Sequence, residues 1–227
     1  MKAFFLCLLV LLPFNQEFEL DLLIPQKNHT LFPGYENLNF RQQVQATAEG
    51  LRVTTVYRKI PVRALANKLR LNHEYLATLP RELHAMVVQV TADCRVFSSL
   101  LKKLAHFFQE EMEYSKADAP QDALSVAVRR SGHCLGFSNL AVVILNAVSI
   151  SSEIVPGLYL EEQEKGLEPV AHVWLEINLP EAKGKIFFDP QHQIFSHNYL
   201  LVDNNLKLDE TEKFPVRLLK RSRRLSY

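Results

Sequence analysis

The sequence predicts an α+β fold in which a cysteine-bearing helix packs against an antiparallel sheet. Three stretches predict it. Residues 97–112 repeat apolar side chains every three or four positions, as an amphipathic helix does. Residues 135–147 have apolar side chains all round, which is typical of a buried helix. Residues 171–177 alternate apolar and polar side chains, and a second short strand follows at residues 185–189.

The composition is that of an ordinary globular protein. Of 227 residues, 48% are apolar and 22% are charged, so the chain has enough apolar material for a core. The formal net charge of +1 gives no indication of a nucleic acid or another polyanion as partner. Only residues 220–224 are locally basic, and we expect them to form a solvated tail.

Residues 1–22 resemble a secretory signal peptide. Lys2 precedes an apolar run that ends at Phe14 and is short for a membrane span. The residues after Pro13 lack the small side chains that signal peptidase requires. We expect a secreted or periplasmic protein, and the alternatives are an uncleaved membrane anchor or a buried N-terminal strand or helix. After export, Cys94 and Cys134 would be either separate thiols or a disulfide.

Residues 23–95 are predicted to form an accessory region. Loops with a strand or two are expected to residue 50, and residues 52–59 are β-branched and aromatic, as in a strand. Two short helices follow: one after Pro61, and one that Asn72 caps and Pro80 ends. Residues 87–90 predict a returning strand. This order resembles a glycan-binding LysM module; a structural helical hairpin packed on the rest of the chain is the favoured alternative.

Residues 96–227 are predicted to form the larger domain. Ser98 or Ser99 is available to cap the helix at residues 97–112, and a short helix is expected at residues 123–130. Gly132 then breaks that helix, so Cys134 should stand at the N-terminus of the next one. The free N–H groups and the dipole of a helix N-terminus favour a thiolate and can stabilise an oxyanion. A small buried cysteine inside a helix is the alternative.

The two strands after this helix carry a histidine and an aspartate. The alternation at residues 171–177 directs His172 and Trp174 away from the apolar face. A hairpin centred between residues 181 and 182 sets Asp189 opposite Trp174 and diagonal to His172, within side-chain reach. A register slip of one residue would move Asp189 to the other face. Taken singly, His172 would be a surface histidine and Asp189 a turn residue.

Together these residues predict thiol catalysis. Cys134 would be the nucleophile, His172 the acid and base, and Asp189 the group that orients the imidazole and stabilises its charged form. Trp174 is expected either to bind substrate by shielding the thioester or only to pack. A zinc site formed by Cys134, His172 and either His192 or His197 is a rival hypothesis, although the sequence has no closely spaced pair of ligands.

These residues resemble the transglutaminase-like superfamily of papain-like thiol enzymes. Residues 132–137 resemble its cysteine motif, residues 171–174 its histidine motif and residues 188–190 its aspartate motif. Residues 155–159 resemble the strand that leads toward the histidine, and the whole resemblance extends from about residue 97 to 200. It implies a papain-like/transglutaminase-like core, the catalytic roles named above, and chemistry through a thioester on Cys134.

The resemblance leaves the reaction open among peptidases, amidases, crosslinking acyltransferases and inactive members. We expect a cysteine peptidase, amidase or acyltransferase that acts on a peptide amide bond, with hydrolysis favoured. A peptide or protein substrate is expected, and a cell-wall peptide if the LysM resemblance holds. No cofactor or nucleic acid is expected, and a membrane only through an uncleaved N-terminal segment. A non-catalytic scaffold with the same fold is the alternative.

Overall fold

The protein is arranged in three layers. The structure, a computed structural model, describes residues 15–25, 31–60, 65, 68–164, 166–179, 184–192, 198–203 and 215–226. Over this part of the chain a four-stranded sheet lies in the middle. Helices cover one of its faces, and a five-stranded sheet covers the other. None of the described helices is long and apolar enough to span a membrane.

Five helices and eleven strands are found in the described part of the chain. The helices are α1 (His73–Thr78), α2 (Arg81–Thr91), α3 (Phe97–Glu110), α4 (Ala123–Arg129) and α5 (Cys134–Asn146). The strands are β1 (Asn15–Ile24), β2 (Tyr35–Glu36), β3 (Phe40–Thr47), β4 (Gly50–Arg58), β5 (Glu113–Tyr114), β6 (Ser131–Gly132), β7 (Ser152–Gln163), β8 (Gly166–Leu179), β9 (Gly184–Phe188), β10 (Tyr199–Leu201) and β11 (Arg217–Ser226).

The outer sheet has the order β11-β1-β4-β3-β2 and joins the two ends of the described chain. Every second residue of β1 points inward, so Leu20, Leu22 and Ile24 are fully buried against Leu158 and Leu200 of the middle sheet. The strand predicted at residues 52–59 is confirmed as β4. In β1, residues 15–22 overlap the predicted signal segment; residues 1–14, its apolar part, lie outside the described residues.

The middle sheet has the order β10-β7-β8-β9 and is antiparallel throughout. β8 pairs with β9 from Leu175↔Phe188 to Leu179↔Gly184, which is the register predicted by a hairpin centred between residues 181 and 182. The residues of the turn itself, 180–183, lie outside the described residues. The same register continued by one pair sets Asp189 opposite Trp174.

The helices pack on the face of this sheet that presents Leu175, Ile177 and Phe188. Their buried side chains form one core that includes Leu104 of α3 and Leu140 of α5. Local capping is partly as predicted: the Asn72 side chain accepts a hydrogen bond from the Tyr75 N–H at the start of α1. The predicted serine cap of α3 is wrong, because Val96 is the N-cap residue and no side chain caps it.

The strand predicted at residues 87–90 is a helix in the structure. These residues lie within α2, where Leu83, Met86, Val87 and Val90 recur at helical spacing and are buried in the helical core. A short apolar run fits a strand and a buried helix equally well, so its neighbours decide. The strand that should close the LysM layout is therefore missing from residues 81–91, and that resemblance is not confirmed. Most of its predicted first helix, residues 61–64 and 66–67, lies outside the described residues.

The basic C-terminal segment is a strand, not a solvated tail. β11 pairs with β1 along its length, and two of its cations have specific partners. Arg221 Nη1 lies 2.7 Å from Glu162 Oε1, and the Arg223 guanidinium lies over the Phe18 ring. The charged composition indicated a solvated tail. In an edge strand, however, backbone hydrogen bonds order the segment even though most of its side chains remain exposed to solvent. The division into an accessory region, residues 23–95, and a larger domain, residues 96–227, stays a prediction.

Candidate active site

Cys134 is the first residue of α5, as the sequence predicts. His133 caps the helix: its Nδ1 accepts a hydrogen bond from the Leu135 N–H at 3.3 Å and lies 3.9 Å from the Cys134 sulfur. Cys134 and Cys94 are both free and half-buried, so the disulfide alternative is not realised in the structure. The Cys134 side chain therefore lies at a helix N-terminus, where the first N–H groups of the helix have no partner within it.

Gln121 fixes the start of this helix and was missed in the sequence. Its Oε1 accepts a hydrogen bond from the His133 N–H at 3.1 Å, and its carbonyl accepts one from Asn139 Nδ2 at 2.9 Å. Gly136 allows the Gln121 side chain to pack against the first turn of α5, because a Cβ at position 136 would overlap Gln121 Oε1. The glycine two residues after the cysteine is the only local sign of this contact.

His172 and Asp189 meet as the predicted register requires. His172 lies on β8, Asp189 follows β9, and Nε2 of His172 is 2.7 Å from Oδ2 of Asp189. Both side chains are buried, with 4% and 0% of their surfaces exposed. Burial of a charged pair is costly unless it is hydrogen-bonded, and this one is. His172 is thus not a surface residue, because the rings of Tyr159 and Tyr199 and the Asp189 carboxylate lie against it.

Asp189 has more partners than the sequence indicates. Its Oδ2 lies 2.7 Å from Nδ1 of His192 and 2.6 Å from the Tyr199 hydroxyl, and its Oδ1 accepts the backbone N–H groups of Gln191 and His192. Burial alone would raise the pKa of Asp189, but the hydrogen bonds from His172 and His192 and their charges hold it well below its ordinary value. Asp189 is therefore a carboxylate, and both imidazoles donate to it.

The electrostatics of His172 favour its charged form. Burial lowers the pKa of the imidazole, but the Asp189 hydrogen bond and the neighbouring Cys134 thiol outweigh burial and raise the pKa to about 9. With Nε2 held by Asp189, Nδ1 is the atom left to exchange a proton. The burial of His133 lowers its pKa, so the histidine next to the nucleophile favours the neutral form.

A cleft of about 520 Å³ opens over these residues. Cys134, His172 and His192 line it, and Tyr114, Lys116 and other side chains form its walls. Tyr114 and Leu135 leave apolar surface exposed at its edge. The nucleophile candidate and the imidazole therefore share one solvent-accessible space of a size that suits part of a peptide.

Trp174 does not line this cleft. Its side chain has no exposed surface and packs edge-on against Phe187 and Tyr199 between the two sheets. The packing alternative is therefore the one found, and a direct substrate contact by Trp174 is not available in this structure. The five-stranded sheet, which sequence reasoning did not pair with β8, is what buries it.

The rival zinc hypothesis takes a different form in the structure. His172, Asp189 and His192 each offer one ligand atom, all within 4.8 Å of one another, and His197 lies outside the described residues. Each nitrogen lies 2.7 Å from the shared carboxylate oxygen. Ligands of a tetrahedral zinc ion lie about 3.4 Å apart, so the spacing fits shared protons better than a metal.

The match to a family model agrees with this architecture. Residues 84–190 match the family model of the transglutaminase-like superfamily. A candidate cysteine protease from Cytophaga hutchinsonii aligns over 94% of this chain and 89% of its own, with 11% identity and a TM-score of 0.45. A structure described as a TGase aligns over 68% of this chain and 44% of its own, at 14% identity and a TM-score of 0.41.

A candidate protease from Parabacteroides distasonis aligns over 76% of this chain and 41% of its own, at 13% identity and a TM-score of 0.32. No curated protein sequence matches the chain. The observed fold, a helix that carries Cys134 on an antiparallel sheet that carries His172 and Asp189, is the predicted α+β type with a papain-like/transglutaminase-like core.

Proposed function

Because residues 84–190 match the family model of the transglutaminase-like superfamily, we propose that the protein is a cysteine enzyme that attacks a peptide amide bond through a thioester on Cys134. The observation that carries the proposal is the buried His172, which hydrogen-bonds to Asp189 on one side and adjoins the Cys134 thiol on the other. Such an imidazole can hold and move the proton that thiol catalysis requires.

The reaction proceeds in two halves. The Cys134 thiolate attacks the amide carbonyl carbon, and N–H groups of the first turn of α5 stabilise the oxyanion. The His172 imidazolium gives its proton to the leaving amine, the C–N bond breaks, and a thioester remains. The neutral His172 then takes a proton from the second nucleophile, whose attack on the thioester carbonyl releases the acyl product and the Cys134 thiolate.

Hydrolysis is the favoured outcome, with water as the second nucleophile. Transfer to an amine uses the same residues and differs only in what enters the cleft. The cell-wall peptide substrate rested on the LysM-like layout, and since residues 81–91 form one helix, the proposal is restricted to a peptide or protein amide. Export remains part of the proposal, with any processing site before β1.

The test is alkylation of the cysteines with iodoacetamide as a function of pH, read by mass spectrometry. We expect Cys134 to react rapidly well below pH 8.5, the ordinary pKa of a free thiol being about that value. The His172→Ala variant should lose this reactivity. The His106→Ala variant, which removes an exposed histidine of α3, should keep it.

Half-buried Cys94 is the internal reference within the same molecule. If Cys134 reacts no faster than Cys94 at any pH, the enzyme proposal is wrong and the alternative, a non-catalytic scaffold for partner binding, takes its place. If Cys134 is activated, a panel of peptide amides follows. Product masses then distinguish hydrolysis, which adds water, from transfer, which adds the amine.

A further inference from the structure

Two imidazoles share one oxygen atom of Asp189. Oδ2 accepts from His172 Nε2 and His192 Nδ1, each at 2.7 Å, and from the Tyr199 hydroxyl at 2.6 Å. A carboxylate oxygen that accepts several hydrogen bonds offers less negative charge to each donor. The charge that stabilises a protonated His172 is therefore divided, and His192 takes part of it.

His192 is held in a defined position for this role. It lies three residues after Asp189, and its ring stacks on Tyr159 with a centroid distance of 4.2 Å and an interplanar angle of 19°. Its centroid lies 4.9 Å from that of His172. With 28% of the side chain exposed, His192 also lines the cleft that contains Cys134. It contacts the interior of the site and the solvent at once.

We propose that His192 is a positioning residue of the site that, by sharing Asp189 Oδ2 with His172, keeps His172 able to release its proton to the leaving group. The inference rests on the proposed function and deepens it. If Asp189 stabilised the His172 imidazolium too strongly, the imidazolium would not release its proton to the leaving amine. The hydrogen bonds from His192 and Tyr199 to Oδ2 both weaken this stabilisation.

Removal of the His192 side chain should leave Asp189 in place. The carboxylate keeps the Tyr199 hydroxyl and His172, and the backbone N–H groups of residues 191 and 192 still reach Oδ1. The charge that His192 had taken then returns to His172. The effect is therefore expected on proton transfer and not on the geometry of the pair.

Other ionisable groups near His192 define its surroundings. Tyr159 and Glu161 come from β7, His172 from β8 and Tyr199 from β10. Across the cleft are Tyr114, Lys116, His133 and Cys134. Variants at position 192 leave all of these unchanged, so a shift in the titration of His172 reports on the shared oxygen.

Two substitutions separate the donor from the ring. His192→Phe keeps a ring that can stack on Tyr159 but removes the donor to Asp189. His192→Asn loses the ring, while its side-chain amide can donate from nearly the position of Nδ1. The titration of His172 is followed by NMR of histidine labelled at Cε1, with its signal assigned from the His172→Ala variant. Alkylation of Cys134 and cleavage of a peptide amide are measured in parallel.

We expect His192→Phe to raise the pKa of His172 by about half a unit or more, the scale of one competing hydrogen bond. Amide cleavage should slow about two- to threefold, and the acid limb of Cys134 alkylation should stay where it is. His192→Asn should restore both values toward wild type. If His192 had only a structural role, His192→Phe would shift the acid limb of Cys134 alkylation as well as the pKa of His172, or the two variants would be equally defective.

If wild-type Cys134 is activated but the pKa of His172 is unchanged or lowered in His192→Phe, the inference is wrong and the proposed function stands. An unreactive wild-type Cys134 would instead overturn the proposed function. The two failures are therefore distinguishable, since the first concerns only the variant and the second appears without any substitution.

Discussion

Asp189 is completely buried, with five hydrogen-bond donors directed at its two oxygen atoms. A group in this situation is ionised, because each donor stabilises the charged form and none could be satisfied by a neutral carboxyl as well. The local sequence identified Asp189 as a residue before proline at a strand end. It gave no indication of the distant Tyr199 or of the stacking that holds His192.

Because the pKa of His172 is raised in the folded state, the free energy of unfolding should decrease at alkaline pH. Its pKa is raised from 6.5 to about 9 in the folded state, so its contribution to stability is complete below pH 6.5 and is lost as the pH rises through 9. The contribution is on the order of 3 kcal/mol at most. We expect the urea midpoint of the wild type to fall over this range, and that of His172→Gln to fall much less.

Equal alkaline losses in the two proteins would contradict this assignment. The pKa of Asp189 is depressed, so its contribution has the opposite sign: it is present above the unfolded-state pKa of about 3.9 and is lost as the pH falls below that value. The acid and alkaline losses therefore occupy separate pH ranges, and one series of urea titrations measures both.

At the scale of the elements, β8 departs most from its sequence pattern. Alternation predicted one apolar face and one open face, yet His172, Trp174 and Glu176 are all buried. The pattern reports which residues share a face, and it is correct on that point. It does not report what covers the second face, which here is supplied by strands more than a hundred residues away in the chain.

Gly157 of β7 is packed closely against β8 and β10. It lies opposite His172 in the sheet, and a Cβ there would overlap the Trp174 ring and the Leu200 carbonyl oxygen. We expect Gly157→Ala to lower the free energy of unfolding by about 1–3 kcal/mol, because the ring or the backbone must move. Urea unfolding followed by tryptophan fluorescence measures this, since Trp174 is the single tryptophan.

Gly34→Ala is the matched control for that substitution. The nearest atom to a Cβ at position 34 is a backbone oxygen at an ordinary contact distance of 3.8 Å, so a change within about 0.5 kcal/mol is expected. Similar losses at both positions would mean that general effects of alanine in the chain, and not the contact with Trp174, decide the result.

At the scale of the whole molecule, the outer sheet links residues near the two ends of the chain. β1 lies between β11 and β4, and its Leu20, Leu22 and Ile24 are fully buried against the middle sheet. A leader peptide that ended at residue 22 would remove most of β1. If the protein is exported, we therefore expect the mature N-terminus at or before residue 15.

Two deletions test that expectation. A chain that begins at residue 15 should unfold cooperatively and keep the labelling behaviour of Cys134. A chain that begins at residue 25 lacks β1 and should lose cooperative unfolding, because the sheet loses the strand that joins β11 to β4, together with its apolar face. Circular dichroism during thermal unfolding measures both, and cooperative unfolding of the shorter chain would contradict the role given to β1.

The sequence by itself determined what is local in this protein. The helical start at Cys134 and the face of β8 that carries His172 follow from periodicity over a few residues. The hairpin register that sets Asp189 beside His172 was assumed from the position of the turn, and the structure has that register. Features of this kind depend on residues that are close in the chain, so a local sequence pattern can predict them.

Only the tertiary structure decided the rest. The cover over β8, the helical state of residues 87–90, the pairing of β11 with β1 and the stacking of His192 on Tyr159 depend on contacts between distant segments. Short apolar or charged runs are compatible with several local structures, and the free energy that selects among them comes from burial against partners that no local pattern names.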